Sequence, residues 1–387
     1  MRLLTVLLLA VATLIPLAAH AVQDCELNGE AVNPANGNTT AGKTGLMRCK
    51  DRDSGQMRRE QELKNGKFMG LVRHYQDGRL FKEHSVNEQG NMDGRAREFA
   101  ANGQVVYDTT YENGRRTGLL RAWYDSGKPR RAAFNENDRE IASVEWSERG
   151  QVHSLRCGDR PVLSPAADDR ALCGFAAPSQ VEMFSDSGVL QTRSTWVQGK
   201  RTRYETFFRN GQPQTQQEVS ASGRVERRFA DDGTKRREIR WESSGAADAR
   251  AYKVLEQDYS ERGTLVREQR WAVADGSAVS DVSFYLNGQP KAKTEFSKEG
   301  EQQVRRESGF YDSGKLASEG RFVETGRFRT TQPVGSHRRY DESGRVAAES
   351  VYDDRGRLTR EKVWDEAGQL VRDDEVFEDG SRKSFAR

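Results

Sequence analysis

The chain has 387 residues, 35% hydrophobic and 31% charged, a mixture too polar for one or two thick globular cores. Its 36 glycines, 16 phenylalanines, 11 tyrosines and 6 tryptophans are too many for a disordered chain, so a thin, extended sheet satisfies both limits. Lys+Arg 62 against Asp+Glu 59 leaves only +3, with the signs alternating throughout. Nucleic acid, which needs a concentrated basic footprint, is therefore disfavoured as a partner.

Residues 1–21 have the order of a secretory signal peptide: Arg2, an apolar run from Leu3 to Leu17, and Ala19-His20-Ala21 as the small-x-small site, with cleavage expected after Ala21. No second long apolar run follows, and Gln23-Asp24 before Cys25 is not a lipid-anchor signal. A soluble periplasmic or secreted chain is expected. Cys25, Cys49, Cys157 and Cys173 then read as disulfides. Three pairings exist; proximity favours Cys25 with Cys49 and Cys157 with Cys173, each closure contributing roughly 3 kcal/mol in the chain-entropy view. A reactive thiol at Cys157, near His153, and a zinc site are weighed and set aside, because the cysteines lack an electropositive setting and ligand spacing. Residues 22–55, rich in Asn, Gly and Thr, read as an irregular cap closed by the first cystine, protecting the edge strand that follows.

Residues 56–156 form a first repeat block. Gly70-Leu-Val-Arg73-His-Tyr75, Gly94-Arg-Ala-Arg97-Glu-Phe99 and Gly118-Leu-Leu-Arg121-Ala-Trp123 recur every 24 residues, the mark of stacked supersecondary units. Each unit reads as one β-hairpin with strands of about eight residues. Asp77-Gly78, Asn102-Gly103 and Ser126-Gly127 are expected as type I turns ending in a left-handed glycine, whereas Asn65-Gly66 to Gly70 and Asn113-Gly114 to Gly118 read as turns with two glycines. Arg73, Arg97 and Arg121 stand two residues before an aromatic, hence on its face of the sheet. They are candidates for partner binding; the competing expectation is that their stems pack over neighbouring rings as cation-π pairs.

Residues 157–174, with Pro161 and Pro165 and no strand period, read as a disulfide-closed loop projecting from the array, and Asp159, Arg160, Asp168 and Asp169 are its candidate partner contacts. Residues 175–387 form a second β-repeat block with units near 12 residues: an aromatic, a polar turn and a glycine, as in Phe208-Arg-Asn-Gly211 and Tyr311-Asp-Ser-Gly314. Aromatics and aliphatics bracket the turns while strand centres such as Thr359-Arg-Glu-Lys362 are polar. Apolar bands are therefore expected along the turn ends, with cross-strand Arg/Glu pairs holding the middle.

These hairpins resemble the MORN-repeat variant of bacterial exported proteins, the kind grouped as YwqK-like antitoxins, over about residues 60–156 and 180–380. The resemblance implies an all-β, elongated antiparallel hairpin array, a MORN-like meander or solenoid in one twisted layer, that binds proteins without catalysis and, in the antitoxin case, neutralises a toxin. The one-strand units of the second block are also similar to YD repeats of Rhs-type shells. The residues independently offer no catalytic signature. His74 and His337 lie inside repeat strands, no nucleophile elbow or phosphate loop occurs, and Asp231-Asp232, Asp353-Asp354 and Asp373-Asp374 are adjacent pairs that strands would split between faces. The expected function is a non-enzymatic interaction scaffold for another cell-envelope protein, a toxin included, with no cofactor or metal. The alternatives are a structural spacer and a membrane-surface assembly protein, the latter disfavoured by the even charge mixing.

Overall fold

The computed structural model describes residues 23–243, 250–325 and 330–385; the signal-peptide segment and Gly245 of the repeat lie outside them. The described chain is nearly all antiparallel strand. It divides into two compact units, residues 23–158 with 162–168, and residues 159–161 with 169–385. The first unit holds an open sheet of 12 strands, from Gln23–Leu27 to Val152–Arg156, and the second an open sheet of 17, from Ser179–Phe184 to Arg382–Ser384. Strand order follows chain order except at the start, where Gly45–Asp51 pairs with Gln23–Leu27 rather than with Glu30–Val32.

The segment expected to be irregular thus contains three strands, Gln23–Leu27, Glu30–Val32 and Gly45–Asp51, joined by irregular connections. Cys25 and Leu27 are buried at alternate positions, as are Met47, Cys49 and Asp51, which is the period-two burial of a one-sided strand. Its Asn and Thr bias belongs to the connection between these strands: Asn33 and Asn36 side chains accept from the backbone of Ala35 and Asn38, and the Thr39 hydroxyl donates to Asn36. Cys25 and Cys49 are direct register partners and are disulfide-bonded. Leu27, Val32, Met47, Leu63 and Phe68 pack around them as a small apolar cluster.

Two kinds of turn define the repeat. At Phe208-Arg-Asn-Gly211 the glycine N–H donates to the Phe208 carbonyl at 3.0 Å, and the Phe208 N–H to the Gln212 carbonyl at 2.9 Å. Gly211 has φ +83°, the type I turn with a left-handed last residue that the sequence predicts. Asn102-Gly103 follows the same rule, but the turns at Asn65-Gly66, Asp77-Gly78 and Asn113-Gly114 differ from expectation. Asn65 and Gly66 have φ of 52° and 78°, and Asp77 and Gly78 have 50° and 72°. Two consecutive left-handed residues make a type I′ turn, whose twist matches that of the flanking strands. Asn137-Asp138 closes another hairpin at 51° and 66° without a glycine.

Gly70, Gly94 and Gly118 belong to no turn. Each lies inside a strand, within Lys67–Gln76, Met92–Phe99 and Arg115–Trp123. Pairing passes from Leu63↔Phe68 to Gln61↔Val72, from Val86↔Met92 to His84↔Ala96, and from Thr110↔Thr117 to Asp108↔Arg121, so each glycine sits in a β-bulge. At Gly70, with φ +81°, a methyl group would lie 2.0 Å from Glu62 Oε2, and that carboxylate accepts the Leu71 N–H at 2.9 Å. The bulge restores the pleat so that Arg73, Arg97 and Arg121 fall opposite acids.

Successive turns are tied along the rims. Tyr124, Tyr285 and Tyr311 hydroxyls donate to the carbonyls of Trp146, Phe310 and Tyr340 at 2.8, 2.9 and 2.7 Å. Asn210 and Asn287 amides reach Asp231 and Asp312 carbonyls at 2.7 Å each. The aromatics that frame the turns therefore bond as well as pack. Apolar burial is local: the cystine cluster, Leu120, Ala132, Ala133, Ala142 and Val144 in the first unit, and Val304, Val323 and Val334 in the second.

Gly70→Ala should lower stability by about 2 kcal/mol or more, because it adds a clash with Glu62 to left-handed strain, whereas Gly118→Ala, whose methyl meets nothing within 4 Å, should cost about 1 kcal/mol. Urea midpoints of the two variants check the order.

Candidate functional site

One row of positions runs straight across the first sheet. Arg48, Glu60, Arg73, Glu83, Arg97, Asp108 and Arg121 are successive Cα partners on seven neighbouring strands. The row alternates in charge at every step. Glu60 lies 3.3 Å from Arg48 and 3.4 Å from Arg73. Glu83 lies 3.3 Å from Arg73 and also pairs with Arg97. Asp108 accepts from Arg95 Nε at 2.7 Å and from Arg121. The three carboxylate side chains are only 6 to 11% exposed, whereas Arg48, Arg73, Arg97 and Arg121 are 33 to 49% exposed. Acids are thus sunk between guanidiniums whose outer edges meet solvent.

Burial pushes the Glu60 carboxyl up, but hydrogen bonds from Tyr75, Arg48 and Arg73 outweigh it and hold the group below its ordinary value. The same balance, with Arg95 and Arg121 as donors, lowers Asp108. Tyr75 donates to Glu60 at 2.7 Å, and burial together with that carboxylate pushes its phenol up to about 12. All three groups keep their charge states through the neutral range.

The second sheet repeats the device. Glu182, Arg193, Glu205, Gln216, Arg227, Glu238, Gln257 and Glu268 are successive partners, and farther along so are Glu319, Arg338, Glu349, Lys362 and Asp373. Glu238, 4% exposed, lies 3.3 Å from Arg227, 3.1 Å from Lys235 and 2.7 Å from Arg240. Burial raises its carboxyl and the bonds from Arg240 and Lys235 more than offset this.

Arg73, Arg97 and Arg121 are therefore brought together as one row, ion-paired to the buried acids rather than packed over rings of neighbouring strands. The Arg97 guanidinium lies 5.6 Å from the Phe99 ring centroid and that of Arg121 5.8 Å from Trp123. Reading the sequence missed their acids. The available signal was an acid 13 or 14 residues before each repeat arginine, at 60, 83 and 108. In the loop, Asp159, Arg160 and Asp168 are exposed, but Asp169 is buried at the start of a short helix, Asp169–Leu172, and Leu163 and Cys173 are buried too. The loop is thus anchored at Leu163, Asp169 and Cys173, while Pro161, Pro165 and Ala171 are exposed. Cys157 and Cys173 are both in disulfide linkage and no cysteine is free. The two disulfides fit an oxidising, extracellular or periplasmic compartment.

His74 and His84 stack on the other face of the first sheet, centroids 5.6 Å apart and planes 12° from parallel. Burial, then the charge of His74, Lys82 and Arg59, pushes His84 down to about 4, and burial lowers His74 as well. Among the described residues no group of three or more His, Cys, Asp or Glu could hold a metal ion, and no helix is long and apolar enough to cross a membrane.

Residues 92–113 match the MORN repeat variant family; they span the hairpin Met92–Phe99 and Val105–Glu112, with Gly94, Arg97 and Asp108. No curated protein matches the sequence. Among solved structures, the chain is similar to one in the crystal structure of TcdB2-TccC3-Cdc42, at 9% identity and a TM-score of 0.18, covering 93% of this chain and 19% of that chain. Another is a protein of Bacteroides uniformis ATCC 8492 ascribed 6-phosphogluconolactonase activity, at 12% identity and a TM-score of 0.12, with coverage of 90% and 92%.

Glu83→Gln, which strips the charge between Arg73 and Arg97, should cost about 1–2 kcal/mol, whereas Glu88→Gln, at the exposed Lys67 pair, should cost less than about 0.5 kcal/mol; chemical denaturation of the two variants gives the comparison. The depressed His84 makes the unfolded chain bind protons first as pH falls, so stability is present above the ordinary value of 6.5 and is lost between there and about 4. His84→Phe should flatten the loss of thermal stability in that window while leaving the carboxylate-linked loss at lower pH.

Proposed function

We propose that the chain is an exported, non-enzymatic MORN-type scaffold that binds another envelope protein through the arginine-edged face of the first sheet. The observation that carries this reading is the row Arg48 to Arg121: guanidiniums pre-oriented by buried carboxylates, half exposed, and repeated on neighbouring strands. Pre-set side chains lose little freedom on binding, and outward guanidinium edges suit carboxylates of a partner. The partner is therefore an acidic protein surface, and the YwqK-like antitoxin reading makes it a toxin. Exposed Asp159, Arg160 and Asp168 are secondary candidates. Export rests on residues 1–21 and fits the two disulfides.

A pull-down from the host envelope with the wild-type chain and with Arg97→Gln/Arg121→Gln, followed by mass spectrometry, tests this. One stoichiometric acidic partner should be retained by the wild type, released by moderate salt, and lost in the variant while circular dichroism shows a folded sheet. A folded wild type that retains no partner, or a partner held equally by the folded variant, would overturn the face-binding reading and favour a spacer.

A further inference from the structure

The second sheet contains a hollow of about 350 Å³ on the strands Leu316–Thr325, Thr330–Tyr340 and Val346–Tyr352. Its floor is made by small residues at central positions of an otherwise long-chained face: Ser318, Gly320, Ala348 and Ser350. Gly320 is not demanded by the backbone, since it is absent from the left-handed glycines. What forbids a side chain there is His337: a methyl on Gly320 would lie 2.6 Å from Nδ1 and 2.8 Å from Cε1. A glycine inside a strand without a conformational reason marks a close approach that the fold keeps open.

His337 is carried over this glycine by a bulge. Pairing steps from Glu319↔Arg338 to Arg321↔Val334, so Gly335, Ser336 and His337 together face Gly320. The ring is held on three sides. Nε2 lies 2.8 Å from the Arg321 carbonyl, which can only accept, so Nε2 carries a proton and donates it there. Phe322 and Tyr352 meet the ring edge-on, with centroids at 4.8 and 4.9 Å. Arg339 lines the same hollow, as do Glu307 and Glu319, whose carboxylates are paired with Arg305 and Arg338. Unlike the arginines of the charged rows, it makes no ion pair among the described residues, and the Ser318 and Ser350 hydroxyls make no hydrogen bond there.

We propose that this hollow is a binding subsite for a carboxylate-bearing sugar ring. The unpaired Arg339 guanidinium supplies the fork for the carboxylate. Phe322, His337 and Tyr352 supply aromatic surface for the C–H face of the ring. The Ser318 and Ser350 hydroxyls supply partners for ring hydroxyls. A nucleotide fits poorly, because a single guanidinium without converging backbone N–H groups cannot replace phosphate hydration. The hollow lies at the small end of the range for ligand sites, as one sugar residue requires.

Glucuronate, with glucose as its uncharged counterpart, is titrated into the full exported chain by calorimetry and saturation-transfer NMR, alongside Arg339→Gln and Gly320→Ala. Glucuronate should bind saturably and at least about tenfold tighter than glucose. Arg339→Gln, an exposed change, should weaken it about tenfold with the melting temperature unchanged, and Gly320→Ala should abolish it. Absence of saturable glucuronate binding to the wild type, equal binding of glucose, or a folded Arg339→Gln chain of unchanged affinity would each overturn the proposal. Should Gly320→Ala unfold, Arg339→Gln alone decides.

Discussion

A sheet one layer thick has no second layer against which to bury the centres of its strands, and that constraint organises this molecule. Large apolar side chains all along mid-strand would face water on an open sheet or recruit another copy, and apolar burial there is confined to single residues such as Val72, Leu120 and Val144. The chain places carboxylates there and surrounds each with cations from its own and adjacent strands. Glu238 meets Arg227, Lys235 and Arg240; Glu60 meets Arg48, Arg73 and Tyr75. A buried acid with several donors costs much to strip of one partner, so Glu60 pins three strands in register and Glu238 two. Stability then resides in nearest-neighbour contacts, as in other repeat arrays, while the rims are held by aromatic and amide bonds from one turn to the next.

The same arrangement gives the surface its chemistry. Because the acids lie inside and the guanidiniums outside, a chain of net charge +3 presents ordered cationic edges on one face of its first sheet. The Arg339 hollow departs from this pattern: the arginine lacks an acid, glycine replaces a long side chain, and a bulge turns a histidine over the gap. Local departures from a repeat's own rule are where specific binding is expected.

The period, the strand-turn rhythm and the polar mid-strands were legible because they depend on residue types at fixed offsets. The aromatic-x-x-Gly turns could be read directly. Gly70, five residues beyond Asn65, could not, since a bulge glycine and a second turn glycine look alike until register is known. Asn-Gly suits both type I and type I′ turns, and Asn137-Asp138 carries no glycine at all. Strands as short as Gln23–Leu27 and Glu30–Val32 offer too few positions for an alternation to show. Glu60, Glu83 and Asp108 escaped attention because their partners lie on other strands, and Asp169 because burial of a loop carboxylate depends on packing that no local pattern announces. Gly320 is set apart only by its cross-strand neighbour His337, which no local pattern announces.

The role of the charged row is tested most directly by a double-mutant cycle on Glu83 and Arg97, using Glu83→Gln, Arg97→Gln and the pair, with stability from chemical denaturation. If buried carboxylates hold the sheet centre, the coupling should be about 1–2 kcal/mol and should shrink little in high salt. A coupling below about 0.3 kcal/mol would show that the row is solvated decoration and that the rims alone hold the sheet.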